Sequence, residues 1–311
     1  MNDATATEGE RWIEAARRAA RGIRRRVLAH TLENNGGYLS QACSSAEILA
    51  TLYLKAMRIG PSTAPMVPRP FAGAPGPRNP DAFTGAGYNG PFGPDLDRFV
   101  FSPVHYALVL YSALIEVGRL HPDALDEFNR DGGTVEMIGA EHSPGHEVTA
   151  GSLGQAISQA GGIALARRLR GDTGRVWVFM SDGEFQEGQT WEAFSAMAHH
   201  RMDNVGVYVD VNRQQCDGSM DDVMRVDPLA DRLRAFGAEV REVDGHDLEA
   251  LASAAAPTRE GRPLAVVAYT DPCRGLEEIM RRRAPRLHYV RFTDEGERAD
   301  FERALEAMGE E

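Results

Sequence analysis

The sequence predicts an α/β fold, a doubly wound and mostly parallel sheet with helices on both faces. From residue 151 onward, short apolar segments alternate with segments of helical spacing, which is typical of parallel strands joined by right-handed crossovers. The predicted strands are short and apolar throughout, as expected when helices cover both faces of a sheet. A chain of 311 residues with 42% hydrophobic content can also bury a sizeable core.

The N-terminal part of the chain, residues 10–58, is predicted to be helical. In the first helix, apolar residues recur at helical spacing: Ile23, Val27, Leu28 and Leu32. Arginines fall on the other face, and a solvated basic face is favoured over a specific anion site. A second helix is predicted over residues 44–59, with Ser44 or Ser45 as its N-cap and Glu47 in its first turn.

Residues 60–97 are rich in proline and glycine and have no regular period. Loops of this length are usually functional lids or disordered segments, and this one could also link two domains. We favour a loop within one domain, because the 58 residues before it are too few for an obvious core of their own. The sequence therefore predicts a single domain over residues 1–311.

Beyond this loop, a helix is predicted over residues 105–118, and helices and strands then alternate. Strands are predicted over residues 175–180, 204–211, 238–244 and 263–270. Helices are predicted over residues 155–169, 187–201, 228–237 and 247–256. Ligands of open parallel sheets bind beyond the carboxyl ends of the strands, so the residues that follow the strands are the first candidates for a site.

The composition disfavours several classes of function. With 34 Lys and Arg against 46 Asp and Glu, the formal net charge is -12, which argues against nucleic acid or an anionic membrane surface as a partner. The cysteines show neither a disulfide framework nor metal-ligand spacing, which predicts a cytoplasmic protein: Cys43, Cys216 and Cys273. No apolar run reaches the about 18 residues needed to span a bilayer, and the acidic N-terminus lacks the apolar core of a signal peptide.

Oxygen-bearing side chains follow two consecutive predicted strands. Asp182 follows the first strand and Asn212 the second, one βαβ unit later. We expect both at the same edge of the sheet, where they and a backbone carbonyl just after Asn212 could hold Mg²⁺. Oxygens of a diphosphate would complete the coordination of the ion.

A glycine-rich turn supports a phosphate ligand. The segment TAGSLGQAIS places Gly151 and Gly154 at the start of a helix, where small residues and free N–H groups favour an anion. Alone, this spacing is better explained as a tight turn before a helix. Combined with Asp182 and Asn212, it predicts a diphosphate–Mg²⁺ site.

These residues also carry a family resemblance. The segments SDGEFQEGQTWEA and DVNRQQCDG resemble the thiamine diphosphate signature of the transketolase family. EVTAGSLGQAISQAGGIALA, DRFVFSPVHYALVLYSAL and IRRRVLAHTL resemble earlier family motifs and occur in the family's order. The resemblance covers about residues 20–270 and implies the thiamine diphosphate-binding fold, with thiamine diphosphate and Mg²⁺ as cofactors.

Transketolases as a family are longer than this chain, so it resembles the N-terminal subunit of a split transketolase. The implied partner is a C-terminal subunit that carries the pyrimidine-binding domain, in an expected α₂β₂ assembly. The family's glutamate that protonates the aminopyrimidine ring belongs to that domain. The resemblance therefore implies that this chain is catalytically incomplete alone.

The resemblance assigns residues to the metal and the cofactor. Asp182 and Asn212 match the Mg²⁺ ligands, and Gln214 matches the position that supplies a backbone carbonyl. Leu153 matches an apolar residue near the thiazolium ring, and His105 matches a histidine that contacts the diphosphate. The residues implied to bind the cofactor are Gly151, Ser152, Leu153, Gly154, Asp182, Gly183, Glu184, Asn212 and His105.

It also implies a set of catalytic residues: His105, His142, His146, His288 and Glu187. Glu187 and Glu192 match acidic residues near the family's dimer interface, although a charged first helical turn explains them equally well. His288 corresponds either to a late active-site histidine or to an ordinary loop histidine. His142 and His146 either take over a polar role or lie on the surface.

The chain departs from the family pattern in places that concern the substrate. Ser181 replaces the first glycine of the G-D-G motif, and S-x-G-H becomes Ser102-Pro103-Val104-His105. The N-terminal G-H-P-G-G motif is absent from NNGGYLSQACSSAEIL, so its sugar-handling histidine has no counterpart. Cofactor binding thus looks intact, whereas sugar-phosphate recognition looks altered.

Three functions follow from these expectations. The first is transfer of a two-carbon ketol unit from a ketose phosphate donor to an aldehyde acceptor, together with the partner. The second is a related reaction with a 2-oxo acid donor or a different acceptor, suggested by the missing motif. The third is a non-catalytic paralogue that only binds a partner, against which the retention of Asp182 and Asn212 argues.

Overall fold

The computed structural model describes residues 7–74, 76–79, 82–258 and 261–309. Its central feature is a five-stranded, fully parallel sheet, accompanied by a short antiparallel hairpin. The strands are β1 Arg98–Phe101, β2 Val176–Ser181, β3 Val205–Val211, β4 Gln214–Gln215, β5 Gly218–Ser219, β6 Glu239–Asp244 and β7 Leu264–Tyr269. The order in the sheet is β1-β2-β3-β7-β6, and β4 and β5 form the hairpin.

Helices pack on both faces of this sheet. They are α1 Glu8–Glu33, α2 Leu39–Thr51, α3 Ala107–Glu116, α4 Ala156–Arg170, α5 Gly188–His199, α6 Met220–Val223, α7 Leu229–Ala235, α8 Leu248–Ala254, α9 Glu277–Met280 and α10 Glu295–Gly309. One core lies between the sheet and α1, α2, α3, α8 and α10, and a second lies between the sheet and α4, α5 and α7. The predicted doubly wound fold is confirmed.

Alternating side chains of the central strands divide between the two cores. Trp177 and Phe179 of β2 enter the first core, and Val176 and Val178 enter the second. All residues of β2 and β3 are buried, because both faces of the sheet are covered. The two strands that lead to the candidate site are thus the most enclosed part of the sheet.

The sheet differs from the prediction at its two edges. The four strands predicted from the sequence are present within one residue at each end, but β1 was not predicted. With only four residues it is too short to show a period of its own, and its place depends on pairing with β2. The expectation that the strands are apolar throughout is wrong for β6, whose position at the other edge leaves charged side chains partly exposed.

The second helix begins earlier than predicted. Helix α2 starts at Leu39, so the expectation that Ser44 or Ser45 caps it is wrong. Both serines are buried inside the helix, where their hydroxyls find other partners. Ser45 donates to the carbonyl of Gln41 at 2.6 Å, and Ser44 donates to the carboxylate of Asp210 at 2.6 Å. Because these bonds satisfy the hydroxyls, serine is tolerated in the helix interior.

The Pro/Gly-rich loop over residues 60–97 is fixed by hydrogen bonds to its surroundings. The guanidinium of Arg119 donates to the carbonyls of Tyr88 at 2.8 Å and Gly60 at 2.9 Å. The N–H of Gly85 donates to the carbonyl of Glu141 at 2.8 Å. These bonds hold the loop against later parts of the chain, as a loop within one domain requires.

A buried ion pair lies where this loop meets the sheet. Arg98 begins β1, and its Nε lies 2.6 Å from Oε2 of Glu147, both side chains being at most 4% exposed. The other carboxylate oxygen accepts from the N–H of Phe99 and from Nδ2 of Asn89, each at 2.9 Å. Glu147 therefore joins β1, the loop and the segment that leads to Gly151.

The described residues contain no helix that combines the length and apolar character required to cross a bilayer. All three cysteines are free thiols. Cys43 and Cys273 are buried, and Cys216 is exposed in the hairpin of β4 and β5.

Candidate functional site

Asp182 and Asn212 lie at the ends of neighbouring strands. Strands β2 and β3 pair in parallel, with Ser181 opposite Asp210. Asp182 follows the first strand and is 1% exposed, and Asn212 follows the second and is 3% exposed. The predicted placement of these two side chains at one sheet edge is confirmed.

Hydrogen bonds place these two side chains and Gln214 in one short turn. Oδ2 of Asp182 accepts from the N–H of Arg213 at 2.7 Å, and Oδ1 of Asn212 accepts from the N–H of Gln214 at 2.9 Å. Arg213 has a φ of 57°, which turns the chain sharply after β3. The three residues predicted to ligate a metal are therefore neighbours.

Asp210 is a buried residue of the site that sequence reasoning missed. Its carboxylate accepts from the hydroxyls of Ser44 at 2.6 Å and Thr270 at 2.5 Å, and from Nδ2 of Asn212 at 3.1 Å. The last bond fixes the orientation of the Asn212 amide and leaves Oδ1 on its other side. The available signal was the D-x-N spacing, since residues two apart in a strand point to the same face.

The electrostatics of this edge suit a hard cation. Burial and the neighbouring carboxylate of Asp210 raise the pKa of Asp182 to about 8, and burial also raises the pKa of Asp210. A divalent cation would offset the repulsion between the two carboxylates. The described residues contain no group of three or more His, Cys, Asp and Glu side chains placed for a metal, so the donors here are a carboxylate, an amide oxygen and a backbone carbonyl. Such an all-oxygen set fits Mg²⁺.

Open space surrounds two of the predicted diphosphate glycines. A Cβ added to Gly151 or Gly183 would meet no atom within 4 Å, which leaves room for a ligand against the backbone. Gly154 differs, since its φ is 75° and a Cβ there would lie 2.8 Å from Cβ of Glu187. Ser152 and Leu153 are exposed between these glycines, Leu153 by 37%. The turn thus presents backbone and one apolar side chain outward.

Glu184 connects the glycine turn to the end of β2. Its buried carboxylate accepts from the N–H of Ser181 at 2.9 Å and of Gly154 at 3.2 Å, and from the hydroxyl of Ser102. Both oxygens of Glu184, which was expected to bind the cofactor, therefore already have protein donors. In this arrangement Glu184 holds three loops together at the candidate site.

Three rings meet beside the turn after β3, and we call them the aromatic cluster: Tyr38, His105 and His288. The ring centroids lie 5.4 Å apart for Tyr38 and His105, 5.5 Å for Tyr38 and His288, and 5.5 Å for the two histidines. The ring of His288 also hydrogen-bonds the backbone of Gln214. Of the two interpretations of His288, a place beside His105 at the candidate site agrees with the structure.

Both histidines of the aromatic cluster are neutral at neutral pH. Burial and the nearby His288 lower the pKa of His105 to about 3, and burial lowers the pKa of His288. Each neutral imidazole offers one donor and one acceptor. Such a pair can hydrogen-bond hydroxyl or carbonyl oxygens of a ligand.

The other two predicted histidines have different surroundings. His146 is completely buried beside the rings of Phe101 and Tyr111, with a pKa lowered to about 4 by burial, so the expectation that it lies on the surface is wrong. His142 is partly buried, and its Nε2 lies 2.9 Å from the carboxylate of Glu136. In the described part of the chain, their recorded contacts do not include the aromatic cluster or Asp182.

Glu187 and Glu192 are exposed at the start of α5. Within residues 7–74, 76–79, 82–258 and 261–309, neither side chain has a recorded hydrogen bond or ion pair. Gly154 lies against Cβ of Glu187, so this exposed acidic surface adjoins the glycine turn. It is available to another protein chain, as the dimer-interface prediction requires.

Comparison with known proteins identifies the family. Residues 88–270 match the family described as "Transketolase, thiamine diphosphate binding domain". The chain is 33% identical over 276 residues to a putative uncharacterized transketolase family protein of Sinorhizobium fredii, covering 88% of each chain. It is 31% identical over 252 residues to a 6-deoxy-6-sulfo-D-fructose transketolase subunit of a Clostridium species, covering 79% of this chain and 82% of that one.

Solved structures show the same fold within longer chains. The transketolase of Campylobacter jejuni superimposes with a TM-score of 0.70 at 21% identity, over 96% of this chain and 47% of that one. The chain thus spans less than half of that transketolase but most of the length of the Clostridium relative. The match over residues 88–270 and the 33% identity over 88% of the chain place this protein in the transketolase family.

Proposed function

We propose that this chain is the N-terminal subunit of a split transketolase that transfers a two-carbon ketol unit from a ketose phosphate to an aldehyde acceptor. The observation that carries the proposal is the pair of buried oxygen ligands, Asp182 and Asn212, at neighbouring strand ends within the family's cofactor-binding domain. A non-catalytic role would not require a buried carboxylate beside another carboxylate. The family relationship and this pair together favour a catalytic role.

Thiamine diphosphate and Mg²⁺ are the proposed cofactors. Asp182, Asn212 and the backbone carbonyl of Gln214 would ligate the metal, and the open backbone at Gly151 and Gly183 would face the diphosphate. Thiamine diphosphate, when bound, supplies the means to stabilise negative charge on the carbonyl carbon of the donor. The protein residues bind and orient the reactants, and the neutral imidazoles hydrogen-bond oxygens of the substrate.

A second protein chain with the pyrimidine-binding domain is part of the proposal. Two relatives are named as subunits of transketolases: the Clostridium protein and an apulose-4-phosphate transketolase component of Actinobacillus succinogenes, which is 27% identical and of which the chain covers 88%. The exposed Leu153, Glu187 and Glu192 adjoin the glycine turn and would face the partner in a cytoplasmic α₂β₂ assembly. Residues 1–311 would then form one diphosphate-binding domain, completed by the partner.

Reconstitution with a candidate C-terminal subunit tests this function. We expect the complex, with thiamine diphosphate and Mg²⁺, to convert D-xylulose 5-phosphate and an aldose phosphate acceptor, and each of the two chains to be inactive without the other. Calorimetric titration of the cofactor with and without Mg²⁺ separates binding from turnover. Turnover of pyruvate without turnover of the ketose phosphate would contradict the proposal and favour the 2-oxo acid alternative.

Replacing Asp210 with asparagine tests how Asn212 is oriented. The amide provides fewer acceptors than the carboxylate, so Nδ2 of Asn212 competes with Ser44 and Thr270 for them. Loss of an orienting partner of a metal ligand typically costs about 10- to 100-fold in affinity, and we expect this loss in Mg²⁺-dependent cofactor binding. Calorimetry measures it, with Asp244→Asn at the exposed end of β6 as the matched control. Unchanged cofactor affinity would show that Asp210 does not orient the ligand.

A further inference from the structure

Tyr38 belongs to a segment in which the family's sugar-handling histidine is absent, NNGGYLSQAC. The structure nevertheless places a side chain that can hydrogen-bond a substrate at this point. Tyr38 immediately precedes α2, the helix whose Ser44 donates to the buried carboxylate of Asp210. Its ring therefore stands at the edge of the candidate site, next to His105 and His288.

The ring of Tyr38 is fixed by its neighbours, whereas its hydroxyl is not. Three edge-on ring contacts hold it, with His105 at 5.4 Å, His288 at 5.5 Å and Tyr289 at 5.0 Å between centroids. The side chain is only half-buried, and the structure records no hydrogen bond of its hydroxyl to any described residue. A preorganised ring with a hydroxyl free for a ligand loses little conformational entropy when the ligand binds.

We propose that Tyr38 donates a hydrogen bond to an oxygen of the uncharged ketol end of the donor, beside His105 and His288. This inference rests on the proposed ketol-transfer function. It adds a substrate-binding residue that differs from the family's motif, and it assigns this part of the site to the reacting end of the donor.

The charges around the aromatic cluster support an uncharged ligand group. Burial, Cys216 and Tyr289 raise the pKa of Tyr38, so its hydroxyl keeps its proton and acts as a donor. For the described residues, the recorded partners of the cluster include no lysine or arginine: Gln41, Tyr106, Tyr289 and the backbone of Gln214. A phosphate would meet no cation here, whereas hydroxyl and carbonyl oxygens find suitable donors and acceptors. The phosphate end of the donor is therefore bound elsewhere.

The test compares two donors in the reconstituted complex. D-xylulose 5-phosphate and hydroxypyruvate share the HOCH₂–C(=O) end, but only the first carries a phosphate. With Tyr38→Phe we expect kcat/KM to fall about three- to tenfold for both donors, the loss typical of one neutral hydrogen bond. Cofactor affinity and Tm should stay at wild-type values, since the lost hydroxyl has no partner in the described residues. Tyr289→Phe is the matched control, because its hydroxyl lies against Gly36, outside the cluster.

The outcomes separate this inference from the proposed function. Wild-type turnover of both donors with a parallel loss in Tyr38→Phe supports it. Wild-type turnover that is the same in Tyr38→Phe, or a loss confined to the phosphorylated donor, overturns the role of Tyr38 and leaves the proposed function intact. Absence of ketol transfer in the wild-type complex, despite bound cofactor, overturns the proposed function, and the inference falls with it.

Discussion

Replacing Asp182 with asparagine is expected to abolish Mg²⁺-dependent binding of thiamine diphosphate and to leave the metal-free protein folded. The amide still accepts from the N–H of Arg213, because one oxygen remains in place of Oδ2. What is lost is the negative charge that a divalent cation requires. We expect affinity for the cofactor with Mg²⁺ to fall by more than about 100-fold, beyond the usual effect of losing an orienting residue.

The stability of the metal-free variant gives this prediction a second readout. Burial and Asp210 raise the folded-state pKa of Asp182 to about 8, so its ionised form is disfavoured in the folded protein. A carboxyl group with a raised folded pKa lowers stability once the pH exceeds its unfolded pKa of about 4. A neutral amide avoids this cost, and we expect an unchanged or higher Tm at neutral pH without metal.

Calorimetry with the cofactor and Mg²⁺, together with thermal unfolding, measures both effects. The matched control is Asp203→Asn, an exposed aspartate just before β3 at the opposite edge of the sheet. It should bind the cofactor like the wild type. Wild-type affinity in Asp182→Asn would mean that the metal does not need this carboxylate. A strongly lowered Tm without metal would mean that the charge serves folding.

The core of the candidate site could be predicted because it depends on local sequence and one topological rule. Asp182 and Asn212 each end an apolar run, and parallel strands place their carboxyl ends at one edge. The two strands pair directly in the sheet, so no further information was needed. The same logic located the glycine turn before α4.

The supporting residues could not be predicted, because their partners are distant in sequence. Ser44 lies 166 residues before Asp210, and Gln41 lies 247 residues before His288. Such contacts depend on how α2 packs against the sheet, which no local period reveals. For the same reason the sequence did not distinguish His288, which joins the aromatic cluster, from His146, which is enclosed in the core.

The largest effect on stability is expected at the buried pair of Arg98 and Glu147. In Glu147→Gln the amide oxygen can still accept from Phe99 and Asn89, but the guanidinium loses its counter-charge in a site that is at most 4% exposed. Removal of one partner of a buried ion pair typically costs about 3–5 kcal/mol. We expect this loss in the free energy of unfolding, measured by urea denaturation at constant m-value.

A second variant separates the ion pair from the packing of Arg98. In the double variant Arg98→Met and Glu147→Gln no charge remains unpaired, so we expect it to be more stable than Glu147→Gln alone. Equal or lower stability would indicate that Arg98 acts through its contacts with Phe92 and the carbonyl of Pro91. Because Glu147 lies four residues before Gly151, weaker cofactor binding in Glu147→Gln, restored in the double variant, would show that the pair also positions the glycine turn.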